Sequence, residues 1–187
     1  KEDNFAVFVF IGLTAWDFFN RTLTNSVKLV RANKSTVTKI YLPKYALVLI
    51  KMYVNFFKML ISFGLVIFCM ILDRIPVTWN LLYIPLILIV LFTQTFGFAT
   101  IFMHFGVFIE DLSNVVTVLL RLLFYMSGVF YSIEKRISNV SALAGRLLTN
   151  LNPMALIISS MRRVMLYGQA PNLRMLLVWL LVGILVS

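Results

Sequence analysis

The chain has 187 residues, of which 61% are hydrophobic and 13% are charged. Soluble domains average roughly 45–50% apolar and about 25% charged residues. Together with a mean hydropathy of +0.95, this composition excludes an ordinary soluble domain, a disordered chain and a disulfide-rich secreted scaffold, and it predicts a membrane protein. A single cysteine and a single histidine exclude an internal disulfide and any metal site that needs two histidines or several thiols.

The net charge is +10, from 17 Lys and Arg residues against 7 Asp and Glu residues. The basic residues lie between apolar segments, which favours lipid headgroups or an anionic substrate as partners and argues against nucleic acid. Lys and Arg are balanced between the two sides of the predicted bundle, so the charge distribution does not indicate its orientation.

Five apolar segments follow one another, at residues 5–30, 45–72, 79–103, 112–132 and from 173 onward. They are continuous runs and not alternating strands, so we expect helices and an all-α, polytopic membrane bundle. The last segment would span only ~22 Å, which is shorter than the ~30 Å hydrocarbon core. Because the chain also begins at Lys1 and not at Met, we expect a fragment of a longer membrane protein.

Two connections between these segments are informative. Residues 21–44 contain several lysines and arginines and no acidic residue, and Pro43 is expected to separate two helices there. Residues 133–171 are amphipathic, with Asn152 as a helix N-cap and Pro153 at the first helical position. The apolar spacing after Pro153 fits either an interfacial helix in the headgroups or a re-entrant helix that closes a pathway.

Two acidic residues, Glu110 and Asp111, lie between the third and fourth segments. Asp111 is well suited to cap the fourth helix, because a carboxylate there accepts hydrogen bonds from free backbone N–H groups. Capping therefore explains this pair as well as a functional role would.

Arg121 lies near the middle of the fourth segment, where a lipid-facing guanidinium would cost ~2.5–3.5 kcal/mol. We expect it to face protein or water. Asp17 lies at matching depth in the first segment, so an Asp17–Arg121 ion pair is one interpretation. Contact with a phosphate group of a substrate is the other.

Aromatic residues are concentrated in the first and fourth segments, where they either face lipid or line a path on which sugars stack. They are Trp16, Phe18, Phe19, Phe124, Tyr125, Phe130 and Tyr131. The sequence contains no phosphate-binding loop of the GxxxxGK[ST] type and no HExxH or GxSxG motif. We therefore expect no catalytic site and no metal site on this chain.

Several motifs in a fixed order resemble the permease subunits of polysaccharide ABC exporters, the type-2 exporters of teichoic acid, O-antigen and capsule. The motifs are FIGLTAWDFF from Phe10, ANK from Ala32, KIYLP from Lys39, EDL from Glu110, RLLFYMSGVFY from Arg121, and NP from Asn152, followed by Arg162, Gly168 and Pro171. Each motif is weak alone, but their order and spacing hold across nearly the whole chain. Glu110 departs from the family, which often has arginine before the Asp, and Gly128 stands where many members have proline.

The resemblance implies a permease of six transmembrane helices, of which this chain, residues 1–187, contains five, with short amphipathic helices outside the cytoplasm. It implies a multi-pass protein of the cytoplasmic membrane that forms a homodimer and binds two copies of a separate ATPase subunit. ATP and Mg²⁺ would then bind to that ATPase, and this chain would carry no cofactor. The substrate would be a polysaccharide on a polyprenyl-pyrophosphate lipid. The Phe- and Ile-rich composition favours a low-GC Gram-positive source, and hence teichoic acid.

The resemblance also assigns residues to roles. Residues 21–44 would form the cytoplasmic coupling connection, and residues 133–171 the re-entrant gate helices outside. The ATPase contact would involve Arg31, Ala32, Asn33, Lys34, Glu110 and Asp111. The substrate pathway would involve Trp16, Phe19, Arg121, Phe124, Tyr125 and Tyr131. The gate helices would contain Asn152, Pro153 and Arg162.

Two other functions remain open from the sequence. One is an integral-membrane transferase of lipid-linked sugars, which would need carboxylates or a metal near the membrane surface. The other is a small-molecule efflux permease of the same superfamily.

Overall fold

A computed structural model describes residues 4–32, 44–75, 78–131 and 151–186. Within these ranges the chain is helical and contains no strand, which confirms the all-α prediction for this part. The helices are α1 (Phe5–Ala32), α2 (Lys44–Leu72), a 3₁₀ helix (Trp79–Tyr83) that leads into α3 (Ile84–Phe108), α4 (Leu112–Met126), α5 (Pro153–Met165) and α6 (Leu173–Val186).

Helix α1 lies at the centre of the bundle and contacts α2, α3, α4 and α5. One buried polar contact joins it to α2, where the Asn55 side-chain amide donates to the Thr22 hydroxyl at 3.1 Å. Helix α6 packs against α3, and the Gln94 side chain donates there to the carbonyl of Trp179. Such side-chain hydrogen bonds help to hold helices together where the surroundings are as apolar as the helices themselves.

Two stretches of the described residues are long and apolar enough to cross a membrane, Tyr45–Leu72 and Trp79–Phe108. Two further apolar helices, Leu112–Met126 and Leu173–Val186, are shorter. Each of the five segments predicted from the sequence therefore forms a helix, but five membrane crossings are not established by these lengths. Helix α2 exposes many large apolar side chains, as a lipid-facing helix would.

Close contacts show which helix ends lie on the same side of the bundle. Gly106, near the end of α3, lies directly against α1, because a Cβ built on it would clash with the carbonyl oxygen of Val27. At the opposite end, the Asn80 side chain donates to the carbonyl of Gly168, beyond the end of α5. The C-terminal end of α1 and the α3–α4 turn thus share one side, as the sequence predicts. The start of α3 and the end of α5 share the other.

Helix α4 is shorter than the predicted segment 112–132. It ends at Met126, and Gly128 follows with a φ of 65°, a left-handed conformation that glycine adopts without strain. Arg121 consequently lies five residues from the end of the helix, or ~7.5 Å, and not at its centre as expected.

Helix α5 begins as predicted, because the Asn152 carbonyl oxygen Oδ1 accepts from the backbone N–H groups of Met154 and Ala155. It packs against α1, α3 and the 3₁₀ helix, and most of its residues are buried. An interfacial helix would leave its polar face in the headgroups. The structure therefore does not support that interpretation for residues 153–165. Most of the amphipathic stretch before Asn152 lies outside the described residues.

Candidate functional site

A groove of about 460 Å³ lies between α1 and α4. Its lining combines aromatic, apolar and polar side chains: Trp16, Asn20, Leu120, Arg121, Phe124 and Tyr125. Trp16 and Asn20 are four residues apart on α1, and Leu120 and Phe124 are four apart on α4. Helical spacing therefore places each pair on one face, and the two faces oppose each other.

The aromatic rings of the groove form a continuous contact from α1 to the end of α4. The Trp16 and Phe124 ring centroids are 5.4 Å apart, and Phe124 lies 5.3 Å from Phe130 and 5.7 Å from Tyr125. Trp16 is buried, whereas Tyr125 is 67% exposed. Aromatic residues of the first and fourth segments are therefore in contact, and the outer rings present open faces.

The acidic residue Asp17 is paired within α1 and not with α4. Its Oδ2 lies 2.6 Å from Nε of Arg21, one helical turn away, and both side chains are about half exposed. The predicted Asp17–Arg121 pair is therefore wrong, because Asp17 pairs with Arg21 on the same helix. In this i,i+4 pair the acidic residue precedes the basic one, which is the more favourable order. Arg121 is exposed and lines the groove.

Two other predicted pathway residues do not line the groove. Phe19 is buried and packs edge-on against Phe98 of α3 at 6.2 Å. It lies three residues after Trp16 and so is rotated towards α3. Tyr131 donates its hydroxyl to the carbonyl of Tyr125 at 2.7 Å, so it holds the turn after α4 in place.

The residues predicted to contact an ATPase are only partly described. Ala32 is exposed at the last position of α1, and Glu110 and Asp111 are exposed in the α3–α4 turn on the same side of the bundle. Asp111 occupies the N-cap position of α4, but its side chain makes no capping hydrogen bond, so the predicted capping role of the carboxylate is wrong. Its backbone carbonyl accepts the first helical hydrogen bonds instead.

The predicted coupling connection, residues 21–44, is described only in part. Residues 21–32 are the last turns of α1 and not a separate connection. Asn33 and Lys34 lie outside the described residues, and Arg31 is described only as part of the helix.

The predicted gate residue Arg162 is the centre of a buried cluster. It is only 5% exposed, and its guanidinium carbon lies 3.5 Å from the Phe8 ring centroid. The guanidinium donates from Nε to the carbonyl of Phe8 at 3.1 Å and from Nη1 to that of Gly128 at 2.9 Å, and Nη2 donates to the carbonyl of Val129. The start of α1 and the turn after α4 are therefore both fixed to α5.

Three residues of these sites were missed by sequence reasoning. Asn20 lines the groove one turn after Trp16, and its polarity in an apolar segment was the available signal. Gly12 makes room for the arginine, since a Cβ there would be 2.6 Å from Nη2 of Arg162. Ser127 accepts a hydrogen bond from the Asn152 amide at 3.2 Å, and no local pattern indicates that contact.

The lining of the groove offers hydrogen-bond donors and ring faces to a ligand. Across the described ranges, no three His, Cys, Asp or Glu side chains are grouped as a metal ion would require. The guanidinium of Arg121 can donate two parallel hydrogen bonds to a phosphate or carboxylate. The exposed aromatic faces can stack against sugar rings, and the Asn20 amide can bond to hydroxyls.

No family model matches the chain. It is 25% identical over 170 residues to an O-antigen export system permease protein, RfbA, from Myxococcus xanthus, and this alignment covers 90% of the chain and 64% of the relative. A protein of the same name from Klebsiella pneumoniae is 27% identical over 166 residues, covering 88% of the chain and 62% of that relative.

The chain is related to permease subunits of polysaccharide ABC exporters. This confirms the resemblance drawn from the sequence motifs. The alignments cover nearly all of the chain but less than two thirds of the length of these permeases. Together with the two long apolar helices, the relationship indicates a membrane protein.

Proposed function

We propose that the chain is the membrane-spanning part of an ATP-driven exporter that moves a lipid-linked anionic polysaccharide across the cytoplasmic membrane. The observation that carries the proposal is the groove between α1 and α4, which Trp16, Phe124 and Tyr125 line together with the exposed Arg121. Aromatic faces beside a guanidinium suit a ligand that combines sugar rings with phosphate groups. The relatives that are O-antigen export permeases support the same class of substrate.

The two ends of the bundle can be assigned to the two sides of the membrane. We propose that the side where Val27 meets Gly106 faces the cytoplasm, because it also carries the exposed Ala32, Glu110 and Asp111 that would contact an ATPase. Helix α5 then lies towards the outer side, as a gate would. The chain would cross the membrane several times and would itself hold no nucleotide.

A second copy of the chain would complete the pathway. Helix α4 buries only Val116 and Leu120 and leaves an apolar face beside the groove exposed. A homodimer that brings two such grooves together would enclose a polymer and shield Arg121 from lipid. Two copies of the ATPase would follow from this symmetry.

The proposed polymer is an anionic one, because the groove carries a cation and the whole chain has a net charge of +10. Within that class we propose teichoic acid, on the basis of the Phe- and Ile-rich composition. A polymer of the O-antigen type, as in the relatives' names, is the alternative that experiment must distinguish.

The test is deletion of the gene in its native host, followed by analysis of the surface polymer. We expect the polymer to disappear from the surface and its lipid-linked form to accumulate inside, and the intact gene to restore export. Chemical analysis of the accumulated glycan identifies the substrate: polyol phosphate indicates teichoic acid, and repeating sugars without it indicate an O-antigen type. Normal surface glycan after deletion would refute the function.

A further inference from the structure

The turn after α4 is held to α5 by side chains near both ends of that helix. At the N-terminal end, the Asn152 amide donates to the hydroxyl oxygen of Ser127 while its carbonyl oxygen caps the helix. Nearer the C-terminal end, Arg162 donates to the carbonyls of Gly128 and Val129. Three consecutive residues of the turn are thus bonded to α5.

The Arg162 contact is built so that few other residues could replace it. Its three bonds leave the guanidinium in different directions and end on backbone carbonyls of two separate elements. Gly128 supplies the left-handed conformation of the turn, and Gly12 leaves the space that the guanidinium occupies. A lysine carries the same charge on a flexible stem with a single nitrogen, so it cannot reach the same carbonyls together.

The turn is the direct continuation of the groove. Tyr125 and Phe124, which line it, lie within five residues of Gly128 and Val129, and the Tyr131 hydroxyl bonds back to the Tyr125 carbonyl. Helix α4 itself has few other buried contacts, since only Val116 and Leu120 are buried along it. The position of the groove's outer end therefore depends on how the turn is fixed.

We propose that Arg162 and Asn152 are positioning residues that join α5 and the end of α4 into one unit, so that the gate helix and the wall of the groove move together. The proposal rests on the proposed function, because it assigns α5 to the gate and the groove to the pathway. It adds that opening of the gate changes the position of Tyr125 and Phe124, and so the width of the groove.

The first measurement needs no substrate. Spin labels are attached to cysteines at the exposed positions Leu122 and Gln169, in the full-length protein with Cys69→Ala, reconstituted in lipid nanodiscs. Because the proposed homodimer would carry four labels, the labelled protein is mixed with an excess of unlabelled protein before reconstitution. We then expect one narrow distance distribution within the parent protomer and a broadened or second distribution for Arg162→Lys. Arg174→Lys, the same change at an exposed arginine of α6, is the matched control and should leave the distribution narrow.

A second variant keeps the test decisive if Arg162→Lys folds poorly. Asn152→Asp retains an oxygen that caps the helix, since aspartate is a good N-cap residue. It exchanges the amide that donates to Ser127 for a charged carboxylate oxygen, which cannot donate, and it should also broaden the distribution. Size-exclusion elution and thermal unfolding identify folded protein, and unchanged distributions in the folded variants would overturn the proposal.

The second measurement is export by the same variants in the deletion strain. We expect Arg162→Lys and Asn152→Asp to lower surface polymer about tenfold or more, a size typical of ångström-scale displacement of positioning groups, at normal protein levels in the membrane. Broadened distances with export at the parent level would also overturn the proposal. If the unmodified protein fails to restore export, the proposed function fails, while the distance measurements still decide whether these residues join the two elements.

Discussion

Helices α4 and α5 are similar in length, with 15 and 13 residues, and each carries at least one arginine, yet they occupy opposite environments. Helix α4 is the more apolar and buries only Val116 and Leu120, whereas α5 contains serines and arginines and is almost wholly buried. In a water-soluble protein the more apolar of the two helices would be the buried one. Lipid chains are as apolar as leucine, so packing and polar contacts, not hydropathy, decide which helix lies inside.

The two arginines show the same contrast. Arg162 is buried, and its guanidinium donates hydrogen bonds to backbone carbonyls within the protein. Arg121 is exposed in the groove, where a ligand can reach it. We therefore expect a structural role for Arg162 and a binding role for Arg121, and the predictions that follow test these two expectations.

Replacement of the buried arginine should have the largest effect on stability. Arg162→Ala removes the donor from three buried carbonyls, and we expect a loss of roughly 3 kcal/mol or more, since each hydrogen bond to a charged group contributes about 1.5–3 kcal/mol. Thermal unfolding of the purified protein in detergent measures this. Arg174→Ala on α6 is the control and should change little. Equal melting temperatures for the two variants would show that the buried cluster does not stabilise the fold.

Crowding of the same cluster should have a smaller effect. In Gly12→Ala the new Cβ would lie 2.6 Å from Nη2 of Arg162 and 3.3 Å from the carbonyl oxygen of Val129. The guanidinium must move, and we expect a loss of about 1–3 kcal/mol. Gly64→Ala on α2 is the matched control, because nothing lies within 4 Å of its new Cβ.

The effect of the control Gly64→Ala on the free energy of unfolding can also be predicted. Since alanine favours a helix interior over glycine by roughly 0.5–1 kcal/mol, Gly64→Ala should be neutral or stabilising. A loss of stability in Gly12→Ala together with a gain in Gly64→Ala would support the close approach of α1 to Arg162. Equal effects would contradict it.

Replacement of the exposed arginine should separate stability from function. We expect Arg121→Ala to change the free energy of unfolding by about 0.5 kcal/mol or less, as for other surface positions, but to abolish export in the complementation assay. Arg121→Lys should restore little export, because the ammonium cannot bind phosphate through two parallel bonds. Lys58→Ala, at an exposed cation of α2 outside the groove, should export normally. Full export by Arg121→Ala would exclude the guanidinium from the pathway.

The smallest effect is expected at Asp17. Its pair with Arg21 is about half exposed and one turn apart, so Asp17→Asn should cost about 0.2–0.5 kcal/mol. A double-mutant cycle with Arg21→Gln should show coupling of that size, and a cycle with Arg121→Gln should show none. Coupling between Asp17 and Arg121 would restore the pair that the sequence suggested.

Much of the fold follows from local patterns. Continuous apolar runs place the helices, and the Asn152-Pro153 pair marks the start of α5 because both residues act on their own helix end. The sequence concentrates aromatic residues in the first and fourth segments, but the contact between Trp16 and Phe124 depends on how α1 packs against α4.

The errors concern choices that local sequence does not determine. Asp17 could pair with Arg21 or with Arg121. The pair with Arg21 forms within one helix and does not require two helices to pack in a particular way. The early end of α4 depends on a left-handed Gly128 that Arg162 fixes from a distant helix. The sequence left the environment of α5 open, because helical spacing fits an interfacial and a re-entrant helix equally well, and burial of α5 depends on its packing against α1 and α3.

The contact between Val27 and Gly106 also has a mechanical consequence. With no side chain between them, the two backbones touch, and this point would be the fulcrum of any tilt of α1. Ala32 lies five residues beyond this point, ~7.5 Å, and Trp16 lies eleven residues before it, ~16 Å. A tilt of α1 about the fulcrum would therefore move Trp16 about twice as far as Ala32 and in the opposite direction. A side chain at position 106 would shift the fulcrum and change that ratio.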